Sequence, residues 1–389
     1  MPQNIGEKTL SWASILEDET RAQAVRTAGM PFIQPHLALM PDAHLGKGAT
    51  VGSVIPTVDA IIPAAVGVDI GCGMDAVLTQ WSLDDLPTDL RPLREEIERT
   101  VPLSAGKYNG SLTDSANRRV EELDLAAEKA GFNPSQYAGN WAHQLGSLGS
   151  GNHFIEVSVD EQDRVWLFLH SGSRGVGNKI AQHHIAAARD LMKRYWIELP
   201  DPDLAYLVQG TREFDRYIAE LRWAQEFARQ NRAEMMDRVA LAITGVMGET
   251  VQRVQEISCH HNYTERERHF GREVWVSRKG AIDAHAYVWG LIPGSMGDRS
   301  YVVQGKGDRA SLCSAPHGAG REYSRSKARK TFSMDDLRER MAGIEWSGSS
   351  EFLDEHPSAY KPIDVVMNDA ADLVEIKHEL RQVLNVKGD

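Results

Sequence analysis

The sequence predicts an α+β fold in a single large domain spanning residues 1–389. Three observations carry that expectation. Short apolar runs broken by Gly and Pro fill the first 75 residues and return from Glu273 onward. A long stretch of helical periodicity lies between them. No internal repeat, low-complexity linker or clear domain boundary interrupts the chain. The composition, 42% hydrophobic and 25% charged, is ordinary for a globular protein, and the length is ample for a buried core.

Taken in order, runs such as Val51-Gly-Ser-Val-Ile-Pro56 read as strands and tight turns. Residues 82–103 read as helical, with Pro at both ends, and residues 114–147 hold a second helical stretch. A Gly/Ser-rich turn then leads into a strand at Asn152-His-Phe-Ile-Glu-Val157. The run Val165-Trp-Leu-Phe-Leu169 reads as a strand that delivers His170 at its end, and a helix is expected over 178–196. The helical excursion covers about 201–250, where Phe214, Tyr217, Ile218, Leu221, Ala224, Phe227 and Ala228 recur on one face. Its aromatic and Met positions read as core. Val274-Trp-Val276, Tyr287-Val-Trp289 and Tyr301-Val-Val303 read as strands, and the chain closes with helices and a strand at 383–386.

The bulk properties exclude several classes. The start lacks the basic-then-apolar profile of a secretion leader, and the longest apolar stretch, around 60–68, is too short to span a bilayer and contains Pro63. A cytoplasmic location with no membrane partner is the expectation. Three Cys are too few for a disulfide scaffold. A net charge of −12 argues against a general nucleic-acid coating protein, though not against a local basic groove. The densest basic stretch, residues 321–330, reads equally well as such a groove or as a solvated helix face.

Five short segments, four of them framed by glycine, concentrate the chemistry: Asp69-Ile-Gly-Cys72, Gly151-Asn-His153, Leu169-His170-Ser-Gly, Cys259-His-His261-Asn262 and Ala315-Pro-His317-Gly-Ala-Gly-Arg321. Mixed thiolate, imidazole and carboxylate donors suit Zn, Mn, Fe or Co rather than Mg or Ca. Asp69 and Cys72 share one short turn, and a thiolate there can be shared by two ions. His317 stands apart. Its following glycines allow close approach of a phosphate, and Arg321 offers a fork of donors. A neutral imidazole can attack phosphorus, but it can equally bind metal, and the residues alone leave both open. No Walker A or G-x-G-x-x-G pattern is present, and no G-x-S-x-G elbow with a matching triad.

These segments, with Met40-Pro-Asp-Ala-His44, Gly294-Ser-Met-Gly297 and the terminal Val386-Lys-Gly388, resemble the RtcB family of GTP-dependent RNA ligases over nearly the whole chain. The resemblance implies a β-sandwich-like core ringed by helices. It implies two Mn ions sharing Cys72, one also held by His170 and His261, the other by Asp69 and His153. It makes His317 the residue that carries GMP. It assigns Asn152 to the GTP phosphates, Phe154 to the guanine face, and Glu156 and Lys387 to its polar edge. Gly294, Ser295, Gly318, Ala319 and Gly320 would line the nucleotide pocket. The implied partners are GTP and RNA bearing a 3′-phosphate or 2′,3′-cyclic phosphate, to be joined to a 5′-hydroxyl. Pro316, beside the nucleophile, removes one N–H where the family often has a small polar residue. Rival readings are a metal-dependent phosphoesterase acting on RNA ends and a non-catalytic metal- and nucleotide-binding relative. The natural RNA, the oligomeric state and any activating protein are left open.

Overall fold

Alternating side chains along the central strands decide the architecture. In the computed structural model, which describes residues 1–388, strand Arg164–Ser171 sends Trp166 and Phe168 to one side and Val165, Leu167 and Leu169 to the other. Strands Gly73–Ser82 and Phe154–Val159 alternate in the same way. They belong to a seven-stranded sheet. Its first face meets a six-stranded sheet across a core that includes Ala38, Met40, Val54, Val274 and Val276. Its second face is covered by helix, with Met235, Met236, Val239 and Ile243 against Val157, Leu167 and Leu169. The result is a β-sandwich with helices outside it, in agreement with the α+β expectation.

The chain passes from one sheet to the other at a single residue. Strand Gln255–His260 pairs with Gly73–Ser82 in the seven-stranded sheet, whereas Asn262–His269 pairs with Arg272–Lys279 in the six-stranded sheet. His261 is the crossing point. Neither strand before Arg272 is expected from the sequence, because Glu265, Arg266, Glu267 and Arg268 hide the alternation behind charge. Helix Asp18–Ala28 is also unexpected. Its buried face is Thr20, Ala24, Thr27 and Ala28, too weakly apolar to register as a period.

Other elements are shorter or longer than the sequence suggests. The region 82–103 begins in strand and a 3-10 turn, and only Arg91–Thr100 is α-helix. Region 114–147 is helix Asp114–Lys129 followed by two short turns of helix. Tyr287 is not in a strand: it takes φ +69 on an exposed loop, and the strand starts at Trp289. The final strand is 14 residues long, Val374–Lys387.

The helical excursion is dominated by helix Arg212–Met247, capped by Thr211 at its start and by Gly248 in the left-handed conformation at its end. It buries polar groups as well as apolar ones, and these hold the site loops. Arg232 donates to Asp75, to the Gly71 carbonyl and to the Ser171 carbonyl. Asn231 accepts from the Gly146 and Ser147 backbone and donates to the Gly172 carbonyl. Glu234, fully buried, joins Arg119 at 2.6 Å and Arg238 at 3.0 Å. Replacing Glu234 with Ala takes a shared carboxylate from two guanidinium groups, leaving Arg119 with Asp237 and the deeply buried Arg238 with neutral acceptors only. The expected loss is about 3–5 kcal/mol of stability, read as a lowered urea midpoint. A loss below about 1 kcal/mol would show that other acceptors carry the network.

Candidate metal and nucleotide site

Cross-strand register lays out the site in rows. Phe154 pairs with His170 on one side and Lys387 on the other, and His170 pairs with Met74. In the next row Glu156 lies between Phe168 and Asn385. Because strand neighbours share a face, these side chains all point between the two sheets. Cys72 precedes strand Gly73–Ser82, and the His261 N–H donates to its carbonyl at 2.8 Å. His317 follows strand Ser314–Pro316, whose last residue pairs with Ala281. Thus Pro316 ends a short ladder and delivers His317 directly into the gap.

The five expected metal ligands come together. Cys72 Sγ is 3.4 Å from His153 Nε2 and 3.3 Å from His170 Nε2. His153 Nε2 is 3.0 Å from Asp69 Oδ2, and His170 Nε2 is 2.9 Å from His261 Nε2. The outer nitrogens are occupied: His153 Nδ1 meets the Leu148 carbonyl at 2.9 Å and His170 Nδ1 meets the Asn152 carbonyl at 3.1 Å. A carbonyl only accepts, so each Nδ1 carries the proton and each Nε2 presents its lone pair inward. Burial and neighbouring histidines push His170 and His261 well below the ordinary imidazole range, keeping them neutral. Burial also opposes charge on Asp69, but bonds to His153 and Cys72 hold it at about 2.

Burial and then the Asp69 charge raise the Cys72 thiol well above its usual value. A divalent cation reverses that balance by drawing the thiolate to itself. The converging lone pairs therefore fit a transition metal. Gly172 permits the crowding, since a Cβ there would stand 2.2 Å from Asp69 Oδ1. Two other groups of metal-seeking side chains occur among the described residues, Glu267–His269–His285 and Asp160–Glu161–His378. Each already contains an arginine partner, Arg278 on Glu267 and Arg164 on Asp160. Neither matches the cation-free donor set at Cys72.

A cavity of about 650 Å³ opens beside this cluster. Asp69, Cys72, His170, His261 and His317 line it, as do Asn152, Phe154, Glu156, Gly294, Ser295, Gly318, Ala319, Gly320 and Lys387. Of the expected residues only His153 stays behind the wall. Phe154 stacks on Phe168 with ring centroids 5.5 Å apart, and Lys387 Nζ lies 5.9 Å from its centroid. Glu156 accepts from Asn385 Nδ2 at 3.0 Å through one oxygen, while the other has no hydrogen-bond partner. Burial raises its pKa to about 8, against the pull of Lys387. A buried acceptor left open is a place for a ligand's donor. Ser295 Oγ is turned onto Asp298.

A family model described as "tRNA-splicing ligase RtcB" matches residues 23–388. The chain belongs to the RtcB family. It is similar to the RNA-splicing ligase RtcB of Escherichia coli K12, at 48% identity over 96% of this chain and 95% of that protein. It is also similar to the tRNA-splicing ligase RtcB of Nanoarchaeum equitans, at 31% identity over 94% of this chain and 88% of that one. The RNA-splicing ligase RtcB of Mycobacterium tuberculosis is 30% identical over 89% of this chain and 94% of its own length.

The geometry adds to this RtcB chain residues to which the sequence assigns no role. Asp42, fully buried, receives His317 Nδ1 at 2.5 Å and the His317 backbone N–H at 3.1 Å on the same oxygen. Lys361 Nζ grips the strand on both sides of Asp42, bonding the Pro41 and Ala43 carbonyls. Gly320, at φ +76, lets the loop touch that strand, where a Cβ would be 2.2 Å from the Asp42 carbonyl oxygen. Lys279, lowered to about 8 by burial, also lines the cavity. The only sequence signal for Asp42 was its place in the Met40–His44 motif.

Two expectations need correction. Arg321 does not offer a free fork: it bonds Glu355, the Tyr360 hydroxyl and the carbonyls of Asp354 and Tyr323. The basic stretch that follows is not an open groove either. Arg325 pairs with Asp354 and Glu355, Arg329 pairs with Asp354, and Lys327 Nζ lies 4.3 Å from the Tyr323 ring centroid. The acids Asp354 and Glu355 arrive from a 3-10 segment distant in sequence, which is why the positive run alone misleads. Cys259 lies away from the ligand cluster and packs against the core between the sheets. Among the described residues no helix is long and apolar enough to cross a membrane.

Proposed function

We propose that this chain is an RNA ligase that joins a 3′-phosphate or 2′,3′-cyclic phosphate end to a 5′-hydroxyl end through a covalent histidine–GMP intermediate. The observation that carries the reading is the Asp42–His317 pair at 2.5 Å beside the Cys72 cluster. A carboxylate on Nδ1 fixes the proton there, so His317 Nε2 carries the lone pair that a phosphorus nucleophile needs. Family membership supports ligation, and the residues supply a route.

GTP enters with its guanine against Phe154, its edge at the open oxygen of Glu156 and at Lys387, and its phosphates toward Asn152 and the Gly318–Gly320 loop. His317 Nε2 attacks the α-phosphorus, a P–N bond forms and pyrophosphate leaves. The RNA 3′-phosphate then attacks the same phosphorus, GMP moves to the RNA and His317 regains its lone pair. The 5′-hydroxyl attacks the activated 3′-phosphorus, the phosphodiester forms and GMP departs. A cyclic phosphate is first opened by water to the 3′-phosphate. Asp42 stabilises each imidazolium as it develops. Asp69, Cys72, His153, His170 and His261 would hold Mn, two ions with Cys72 shared, which supply electrophilic activation of phosphate oxygens.

The test is incubation with GTP labelled on the α-phosphate in the presence of Mn. Wild type should retain label through denaturation and His317→Ala should retain none. An unlabelled wild type overturns the reading. Release of phosphate from RNA ends without GTP would then favour a phosphoesterase.

A further inference from the structure

One side of the cavity is a helix face that does not stop at the cavity's rim. Gln182, Ile185, Ala186 and Arg189 of helix Arg174–Arg194 line the cavity at the spacing of a single face. The same face continues to Lys193, and just past the helix end the Trp196 N–H bonds the Lys193 carbonyl. Lys193 lies about 6 Å beyond Arg189 along the axis. Trp196 is 92% exposed, and Tyr195 before it is 69% exposed. Aromatic groups this exposed, at successive positions, bury little of their surface in the chain itself.

The backbone makes the exposure a fixed feature. The Ile197 N–H bonds the Met192 carbonyl at 2.9 Å and the Trp196 N–H bonds the Lys193 carbonyl at 3.2 Å, the paired bonds of a Schellman helix end. In that motif the left-handed residue is usually Gly, yet here it is Trp196 at φ +54. A bulky side chain is thus held in a disfavoured conformation without any packing to compensate. The surrounding charge is mixed. Lys193 and Arg194 are exposed cations, Asp190 lies 3.9 Å from Lys193, and Arg189 is paired with Asp203.

We propose that Tyr195 and Trp196 form a stacking platform for single-stranded RNA leaving the cavity along this helix face. The proposal rests on the ligase reading for the RNA and on the platform's own geometry for the place. Any base can stack on an indole, so the platform suits a ligase that must accept varied sequence beyond the ends it joins. Lys193 and Arg194 would meet the phosphates there and contribute the salt-dependent part of binding.

The test compares wild type, Trp196→Ala, Trp196→Leu and Trp196→Phe in binding two 3′-phosphorylated oligoadenylates. One is short enough to stay in the cavity and the other extends well past it. With the long RNA, Trp196→Ala and Trp196→Leu should weaken binding about ten-fold, and Trp196→Phe should restore most of it. The short RNA should bind all four alike. GMP labelling should not change in any variant. Equal binding of the long RNA by wild type and Trp196→Ala overturns the platform. So does a self-association of wild type that Trp196→Ala abolishes while RNA binding stays unchanged. If wild type takes no GMP label, the ligase reading falls separately, and the binding comparison still decides the platform.

Discussion

Cys72→Ala should strip the protein of bound metal and abolish GMP uptake. In the present geometry Sγ stands within 3.4 Å of two imidazole nitrogens whose protons are turned outward. Removing it leaves neutral donors around a hole, with no anion at their centre except Asp69. A loss of affinity on the order of 100-fold or more is expected for each ion that shares the sulfur. Metal content after gel filtration and labelling with GTP measure the two consequences together. A variant that keeps wild-type metal and wild-type label would remove Cys72 from the centre of the site.

Asp42→Asn tests the nucleophile without touching a metal donor. The His317 backbone N–H and Nδ1 both meet one Asp42 oxygen, so the amide places either its oxygen there, accepting from both without a charge, or its NH₂, losing the backbone contact. In either orientation the negative charge that supports an imidazolium at His317 is gone. With the NH₂ toward Nδ1 the imidazole proton also moves to Nε2, the atom that the proposed reaction needs as nucleophile. By the logic of a carboxylate that sets imidazole tautomer, single-turnover GMP labelling should slow on the order of 10³–10⁴-fold, with metal content and melting temperature close to wild type. A rate within about three-fold of wild type would mean that Asp42 only supports the strand.

What the sequence made legible follows from chemistry that is rare in sequence space. Cys72, His153, His170 and His317 each sit in a glycine frame, and a glycine beside a reactive side chain marks close approach wherever the chain later folds, while His261 is marked by its neighbours Cys259 and His260. Asp42 carries no such mark. It is a carboxylate in an otherwise apolar strand, and its partner lies 275 residues away. A shorter separation, 34 residues from Arg321 to Glu355 and 29 from Arg325 to Asp354, already hides those acids from the arginines they neutralise. While the sandwich came only from the family resemblance, strand structure was visible in clean apolar runs, as at 165–169. It was invisible at Asn262–His269, where charge covers the outward face and the inward face carries little apolar area. A single chain read without relatives supplies side-chain types and local periods, while pairing across the fold must come from structure.

The crossing of the two sheets at His261 gives the site a mechanical meaning. A strand of each sheet abuts this residue, and its ring lies 2.9 Å from His170, which is anchored in the seven-stranded layer. A cation gripped there would act as a rivet through both layers. Any slip of one layer against the other would lengthen a coordination bond, so ion occupancy would report on the alignment of the whole sandwich as much as on the chemistry at its edge.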